Sequence, residues 1–143
     1  MSSALVASLV FTVILLVVTT YFLLGSVPLL VLKHDTPLDS RFVRSFFNTY
    51  YFAVMLVAGA TGLSYAAAGK PVFAASAAAL VLLAAVLRGT IISRMDQLQG
   101  QMRMNEATAI PAFRRIHMTA IVINMAQLIT IVGTLIAVSL QMR

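Results

Sequence analysis

The residues best suited to chemistry in this sequence lie in its last apolar segment. At about 100° per residue, four of them fall within about a third of a helix circumference; this polar stripe is His117, Asn124, Gln127 and Thr134. Polar side chains at membrane depth are costly unless they face protein or water, so the stripe is predicted to face inward. It indicates either a polar path or ligand pocket, or hydrogen bonds between helices. The structural interpretation is favoured for Asn124 and Gln127, and both stay open for His117.

Arginines form the second group of candidates. Arg88 follows an uninterrupted apolar run and precedes the polar loop expected to begin at Arg94. Its guanidinium is therefore predicted to reach the lipid headgroups or to approach His117. The other cations predicted to contact headgroups or anions are Arg41, Arg44, Arg94, Arg114 and Arg115. Anionic lipid is the expected partner of this group, ahead of a specific substrate.

The sequence gives little support for a metal or a cofactor. It contains no cysteine, which excludes disulfides, thiolate metal sites and cysteine nucleophiles. Two histidines can ligate haem, but His34 is expected in a solvated loop and nothing makes it face His117, so haem is not favoured. Thioethers bind Cu(I), yet apolar contacts are the commoner role of methionines near a membrane surface. The methionines concerned are Met95, Met102, Met104 and Met118.

The elements that must position these residues are transmembrane helices. The chain has 143 residues, of which 61% are hydrophobic and 10% charged, and its mean hydropathy is +0.99. Soluble domains carry about a quarter charged residues, and about 20 apolar residues cross the hydrocarbon core. We therefore predict one all-α domain, an integral membrane bundle of four transmembrane helices. The predicted helices cover about 4–32, 37–68, 72–93 and 111–141.

Two local signals mark the predicted helix boundaries. Pro28 removes a backbone hydrogen bond near the end of the first helix, which predicts a kink or early fraying. Thr36 precedes Pro37 and Asp39, which is the pattern of a hydroxyl cap and a first-position proline at a helix start. The aromatic residues that follow are expected at headgroup depth, as an aromatic belt. They are Phe46, Phe47, Tyr50 and Tyr51.

Two of the predicted helices carry faces of small residues. Ala58, Gly62 and Ala66 repeat at a spacing of four on the second helix, and Ala74 and Ala78 do so on the third. Small residues at this spacing let helix backbones approach closely in lipid. The pattern predicts a tight hairpin of helices two and three, and the alternative is contact with another protein.

The charge distribution predicts an orientation. With four spans, the loops after the first and third helices share one side and carry most of the cations, whereas the other side has Lys70 and Arg143. The positive-inside rule then places the long loops in the cytoplasm and both termini in the periplasm of a bacterial inner membrane. The net charge of +6 does not indicate nucleic-acid binding, because the cations lie at the ends of apolar segments and form no basic face.

Three short patterns resemble a known family. They are Val27-Pro28-Leu29-Leu30-Val31-Leu32, the run Phe42 to Phe47 with Tyr50-Tyr51, and Phe113-Arg114-Arg115-Ile116-His117 with Asn124 seven residues beyond the histidine. The chain resembles small bacterial four-helix membrane proteins of unknown function that are related to the eukaryotic transmembrane protein 205 group. The resemblance spans most of the chain and implies the four-helix fold and a shared role for His117 and Asn124. Thr119 and Ala120 stand where that family often has serine.

The sequence favours a non-catalytic integral membrane protein, an accessory or assembly subunit of a membrane complex. Its partner would be another protein or further copies of the chain, held through helix packing. Two alternatives stay open: a small transporter or ligand-binding protein that uses the polar stripe, and a redox or quinone-binding subunit. An enzyme is not favoured, since no acyl-transfer triad, paired-carboxylate site or phosphate loop is visible.

Overall fold

The apolar segments of the chain form long helices. A computed structural model describes residues 2–31, 33, 36–104 and 106–141. Four helical stretches in it are long and apolar enough to cross a membrane, which confirms the all-α prediction. The helices are α1 (Ser3–Ser26), α2 (Pro37–Ala67), α3 (Pro71–Leu87), α4 (Ser93–Arg103) and α5 (Ala109–Gln141). A 3₁₀-helical turn (Pro28–Val31) follows α1, and a π-helical segment (Arg88–Ile92) joins α3 to α4.

The boundary signals around the first connection are confirmed. The α-helical part of the first span ends at Ser26, and Pro28 opens the 3₁₀ turn, since proline has no N–H to continue the helix. At the start of α2, the Thr36 hydroxyl accepts a hydrogen bond from the Asp39 N–H at 3.2 Å. This bond satisfies one of the N–H groups that have no partner within the helix.

The turn between α2 and α3 is closed by glycine. Gly69 has a φ of +68°, which a residue without a Cβ adopts at little cost. The Gly69 N–H donates to the Ala66 carbonyl at 3.0 Å, and the Lys70 N–H donates to the Tyr65 carbonyl at 2.9 Å. These two bonds form a Schellman motif, which satisfies the last carbonyls of α2 and reverses the chain.

The third span continues as a helix beyond its predicted end. The sequence placed the end near residue 93 with a polar loop from Arg94, and this was wrong, because the helix runs without a break to Arg103. Hydropathy detects the end of an apolar span and not the end of a helix. The extension holds because Met95 and Leu98 are buried while α4 packs on α5 and α2. The remaining connection to α5 is short.

The helices pack in an open ring. The segment α2 packs against both α1 and α3, and α1 also packs against α5. The fourth side is most closely packed near α4, which contacts α5, whereas the backbones of α3 and α5 make few close contacts among the described residues. We call the gap between these two helices the α3–α5 seam.

The α2–α3 contact is close at Gly62. A Cβ added at Gly62 would lie 3.4 Å from the Ala77 Cβ and 3.5 Å from the Ala74 carbonyl oxygen. The backbones therefore approach closely enough for an alanine but not for a larger side chain. Of the other small residues predicted to pack, Ala58 is buried and the exposed ones are Ala66 and Ala78.

We expect Gly62→Leu to destabilise the protein by about 1–3 kcal/mol, because the added side chain forces α2 and α3 apart. Gly59→Leu is the matched control, since a Cβ at Gly59 meets no atom within 4 Å. The measurement is the midpoint of thermal unfolding in detergent. An equal loss in both variants would attribute the effect to glycine replacement in general and would contradict the close α2–α3 contact.

Candidate functional site

The polar stripe of α5 faces the bundle interior. His117, Asn124 and Gln127 are 0%, 1% and 3% exposed, so the predicted inward orientation is confirmed for these three. Thr134 is half-buried, and its hydroxyl donates to the Thr130 carbonyl at 2.9 Å. Only the first three residues of the stripe therefore belong to one buried polar surface.

The segment α2 supplies the partners of this surface. The Tyr50 hydroxyl donates to Gln127 Oε1 at 2.8 Å. The Phe47 ring stands edge-on to the His117 imidazole, with ring centroids 5.3 Å apart and an interplanar angle of 81°. These contacts join α2 and α5 across the bundle interior, although the two backbones make few close contacts. Long side chains thus connect helices that are not neighbours.

The predicted aromatic belt was wrong for three of its four members. Phe47, Tyr50 and Tyr51 are buried in the core, and Phe46 is partly buried against Phe22, with ring centroids 4.9 Å apart. Position along the chain indicates the depth of a residue but not the direction it faces around the helix. A tyrosine hydroxyl prefers a hydrogen-bond partner when it is buried, and here Gln127 provides one for Tyr50.

Sequence reasoning missed a row of hydroxyl groups on α1. Ser8, Thr12, Thr19 and Ser26 are all buried, and their spacings of four and seven place them on one face of the helix. That spacing could have predicted a buried polar face on α1. It was overlooked because the segment is apolar along most of its length. The Thr12 hydroxyl lies 3.0 Å from the Tyr65 hydroxyl and donates to the Ser8 carbonyl at 2.7 Å.

Further buried polar side chains lie within about one helical turn of Tyr50 and its partner Gln127, or on the facing helix α1. We call Thr19, Tyr50, Tyr51, Asn124 and Gln127 the central cluster. The Tyr50 and Tyr51 rings lie 5.3 Å apart, and the Thr19 hydroxyl lies near that of Tyr50 without forming a hydrogen bond. Asn124 is one helical turn from Gln127 on the same buried face.

Several polar atoms of the central cluster have no hydrogen-bond partner among the described residues. They are Thr19 Oγ1, Tyr51 Oη, Asn124 Oδ1 and Gln127 Nε2. A buried polar atom that lacks a partner costs about 1–3 kcal/mol, and such atoms in proteins are commonly satisfied by ordered water or another small molecule. The cluster contains hydroxyl and amide groups but no charged side chain. Its chemistry is that of hydrogen bonding.

A narrow cavity lies at the α3–α5 seam. Its volume is about 10 Å³, roughly the room that one water molecule needs. All four spans contribute to its lining, whose hydroxyl groups come from Thr12, Thr61, Tyr65, Ser76 and Thr134. Thr134 thus belongs to this cavity, and it lies about 25 Å along α5 from His117.

Arg88 contacts α2 on the outside of the bundle. Its Nε donates to Asn48 Oδ1 at 3.0 Å, and its Cζ lies 6.0 Å from the centroid of the Phe52 ring. Arg88 is exposed whereas His117 is buried. The structure therefore places this arginine in a setting of its own, apart from the polar stripe.

The other predicted cations are spread over the surface of the same end of the bundle. Arg44 forms a bidentate ion pair with Asp96, with its Nε 2.8 Å from Oδ1 and its Nη2 2.9 Å from Oδ2. The Arg114 guanidinium donates to the Leu30 carbonyl at 3.2 Å. The exposed members of the group are Arg41, Arg94, Arg114 and Arg115. Arg44 and Arg114 thus each contact a residue from another part of the chain as well as presenting charge.

Within the described residues, no group of three or more histidines or carboxylates is placed to hold a metal ion. His34, the candidate haem partner of His117, lies outside the described residues, and so do Asp35 and Arg143. The interpretation of the two histidines therefore stays a prediction from the sequence.

The fold and its apolar surface define the class of this protein, a helical bundle of the integral membrane type. Searches of protein-family models, of curated proteins and of solved structures find no match for this chain. The resemblance to the transmembrane protein 205 group stays a prediction.

We expect Tyr50→Phe to lower the free energy of unfolding by about 0.6–1.5 kcal/mol, because Gln127 loses its donor in a setting that offers no other. Tyr21→Phe is the matched control, since Tyr21 is 69% exposed. The measurement is unfolding in detergent, together with a double-mutant cycle that adds Gln127→Met. Additive losses in the cycle would show that the two side chains do not interact.

Proposed function

We propose that this protein is a non-catalytic accessory or assembly subunit of a membrane complex. The observation that carries the proposal is the α3–α5 seam. In a closed four-helix bundle each helix packs against two neighbours along its length, whereas the third span meets α5 chiefly through α4, and its α3 part packs closely on α2 but only loosely on α5 among the described residues. A transmembrane helix from another protein, or from a second copy of the chain, would add a closer contact there.

The surface of α3 beside the seam suits such a helix. Ala75 and Ala79 are exposed, and the helical period places both away from the α2 contact at Ala74 and Ala77. Small side chains at a spacing of four favour helix association in lipid, where van der Waals packing drives the contact. The seam also exposes the half-buried hydroxyls of Ser76 and Thr134, which offer hydrogen bonds to an incoming helix.

Purification from native membranes in a mild detergent tests this proposal. We expect the chain to migrate in a complex larger than one copy, and we expect Ala79→Phe to release the partner because the bulky ring blocks close approach at the seam. Ala67→Phe is the matched control, since Ala67 is exposed at the end of α2. The measurement is mass by light scattering with identification of the co-purified chains. A wild-type protein that is monomeric and alone would contradict the proposal.

The same preparation tests the two alternative functions. The unpartnered atoms of the central cluster support a ligand-binding or small-transporter role. That role expects a small molecule to co-purify with the wild-type chain and to be lost in Asn124→Leu. A haem-binding redox subunit would show a Soret band, and a sample without one contradicts that version.

We further propose that both termini lie in the periplasm of a bacterial inner membrane and that the cation-rich end of the bundle, with the α1–α2 and α4–α5 connections, lies in the cytoplasm. The positive-inside rule supports this orientation. The Lys70 ammonium donates to Gln141 Oε1 at 3.2 Å, which supports an arrangement with the α2–α3 turn and the end of α5 on the same side. The N-terminal half of α1 meets the C-terminal half of α2 through Thr12 and Tyr65.

Because the chain has no cysteine, single-cysteine variants report orientation directly. We expect a membrane-impermeant maleimide to label Lys70→Cys in intact cells and to label Arg103→Cys only after the cells are broken. Lys70 directly precedes the continuous helix Pro71–Arg103 and Arg103 ends it, so the two positions lie at opposite ends of one span. The reverse labelling pattern would overturn the proposed orientation.

A further inference from the structure

A groove with both charged and apolar walls runs along the outside of the bundle between α2 and the continuous α3–α4 helix. Its volume is about 380 Å³. One wall carries Arg44 and Asn48 from α2, and the small residues Ala85, Gly89 and Ser93 line it at a spacing of four on the opposite helix. We call it the arginine groove. A Cβ added at Gly89 would meet no atom within 4 Å, so this wall leaves open space.

The charges of the arginine groove do not cancel. Arg44 and Asp96 neutralise each other through two hydrogen bonds. Among the described residues, this is the one ion pair that the structure shows. Arg88 has no carboxylate within 4 Å in that part of the chain. The groove therefore carries one net positive charge, and that charge belongs to Arg88.

Asn48 and Phe52 orient the Arg88 guanidinium, but its two terminal nitrogens remain available to a ligand. Asn48 Oδ1 accepts one hydrogen bond from its Nε, and the Phe52 ring lies 6.0 Å from its Cζ. A guanidinium has five N–H donors in a planar fork, so both terminal nitrogens remain available. That fork matches the oxygens of a phosphate group, which it binds in a bidentate manner.

The backbone at Arg88 is irregular. The residue opens the π-helical segment Arg88–Ile92, and Thr90 donates to the Val86 carbonyl at 2.8 Å within the preceding turn. Short π-helical segments occur frequently at functional sites. Here the segment lies where the apolar span gives way to the polar helix α4.

The depth of Arg88 agrees with a lipid phosphate. Arg88 lies 17 residues after Pro71, which is about 26 Å along the helix axis, and the hydrocarbon core is about 30 Å thick. The guanidinium is therefore near the boundary opposite to Lys70, at the level of the headgroups. Met55 and Ala85 line the apolar part of the groove, on the hydrocarbon side of the arginine.

We propose that the arginine groove binds an anionic phospholipid, with the phosphate on the Arg88 guanidinium. Asn48 positions the guanidinium, and an acyl chain lies along Met55 and Ala85. The Arg44–Asp96 ion pair closes the polar end of the groove and limits its positive charge. This inference is independent of the accessory role and of any partner at the α3–α5 seam.

The test measures lipid affinity on the full chain after delipidation in detergent. Native mass spectrometry and thermal unfolding are recorded during titration with phosphatidylglycerol, with phosphatidylcholine and with inorganic phosphate. We expect phosphatidylglycerol to bind and stabilise the wild-type chain most strongly. We expect Arg88→Gln to bind it about tenfold more weakly, which corresponds to the loss of a charge-assisted contact.

Arg103→Gln is the matched control, because it removes the same charge from an exposed position on α4 that does not line the groove. We expect its affinity to stay within about twofold of wild type, since an exposed charge outside the site acts only through the screened field. Equal losses in Arg88→Gln and Arg103→Gln would overturn the proposal in favour of general charge attraction. Stabilisation by inorganic phosphate equal to that by phosphatidylglycerol would overturn the lipid as the ligand.

A gain-of-function variant keeps the proposal testable if Arg88→Gln folds poorly. Asp96→Asn removes the carboxylate of the groove and releases Arg44, which raises the net charge of the groove by one. We expect phosphatidylglycerol to bind this variant several-fold more tightly, by roughly threefold to tenfold, as expected for one added exposed charge contact. Unchanged or weaker binding would overturn the role of the groove charge.

Discussion

Hydrocarbon offers no hydrogen-bond partners, and the interior of this bundle is organised around that constraint. The backbone meets it by forming helices. Short hydroxyl side chains meet it locally, as when Ser8 donates to the Ala4 carbonyl at 2.8 Å and Thr61 donates to the Val57 carbonyl at 2.8 Å. The longer amide of Gln127 reaches across the bundle to Tyr50. Side-chain length thus decides whether a polar group is satisfied within its helix or between helices.

The bond between Tyr50 and Gln127 also explains why the bundle interior can be polar at its centre and yet hold together. It links α2 to α5 where their backbones are not close neighbours. The aromatic rings around it fill the remaining space, with Phe22 5.5 Å from Tyr50 and Phe47 5.3 Å from His117 between ring centroids. Toward the α2–α3 turn, packing depends on small side chains instead of large ones, since Gly62 lets α2 lie close to α3.

The outside of the bundle follows a different rule, because a charged side chain has a low desolvation cost only where the span leaves the hydrocarbon. The third span shows the change along one continuous helix, from the alanine-rich α3 through Arg88 to the polar α4. The ion pair between Arg44 and Asp96 is partly exposed, and exposed pairs contribute little stability. Its consequence is electrostatic: it leaves Arg88 as the unneutralised cation between the two helices.

Much of the helical framework was readable from the sequence, because it depends on local properties of the chain. Hydropathy located four spans, Pro28 and Thr36 marked the first connection, and the spacing of His117, Asn124 and Gln127 indicated which side of α5 faces inward. Features that depend on rotation about the helix axes, or on residues far apart in the chain, were decided only by the tertiary structure. Tyr50 and Tyr51, which the sequence predicted in a surface belt, lie in the core, and Arg44 pairs with a carboxylate 52 residues away in the chain. The position of the α3–α5 seam and the contacts of Arg88 likewise depend on how the four helices pack together. No single segment of the sequence determines that packing.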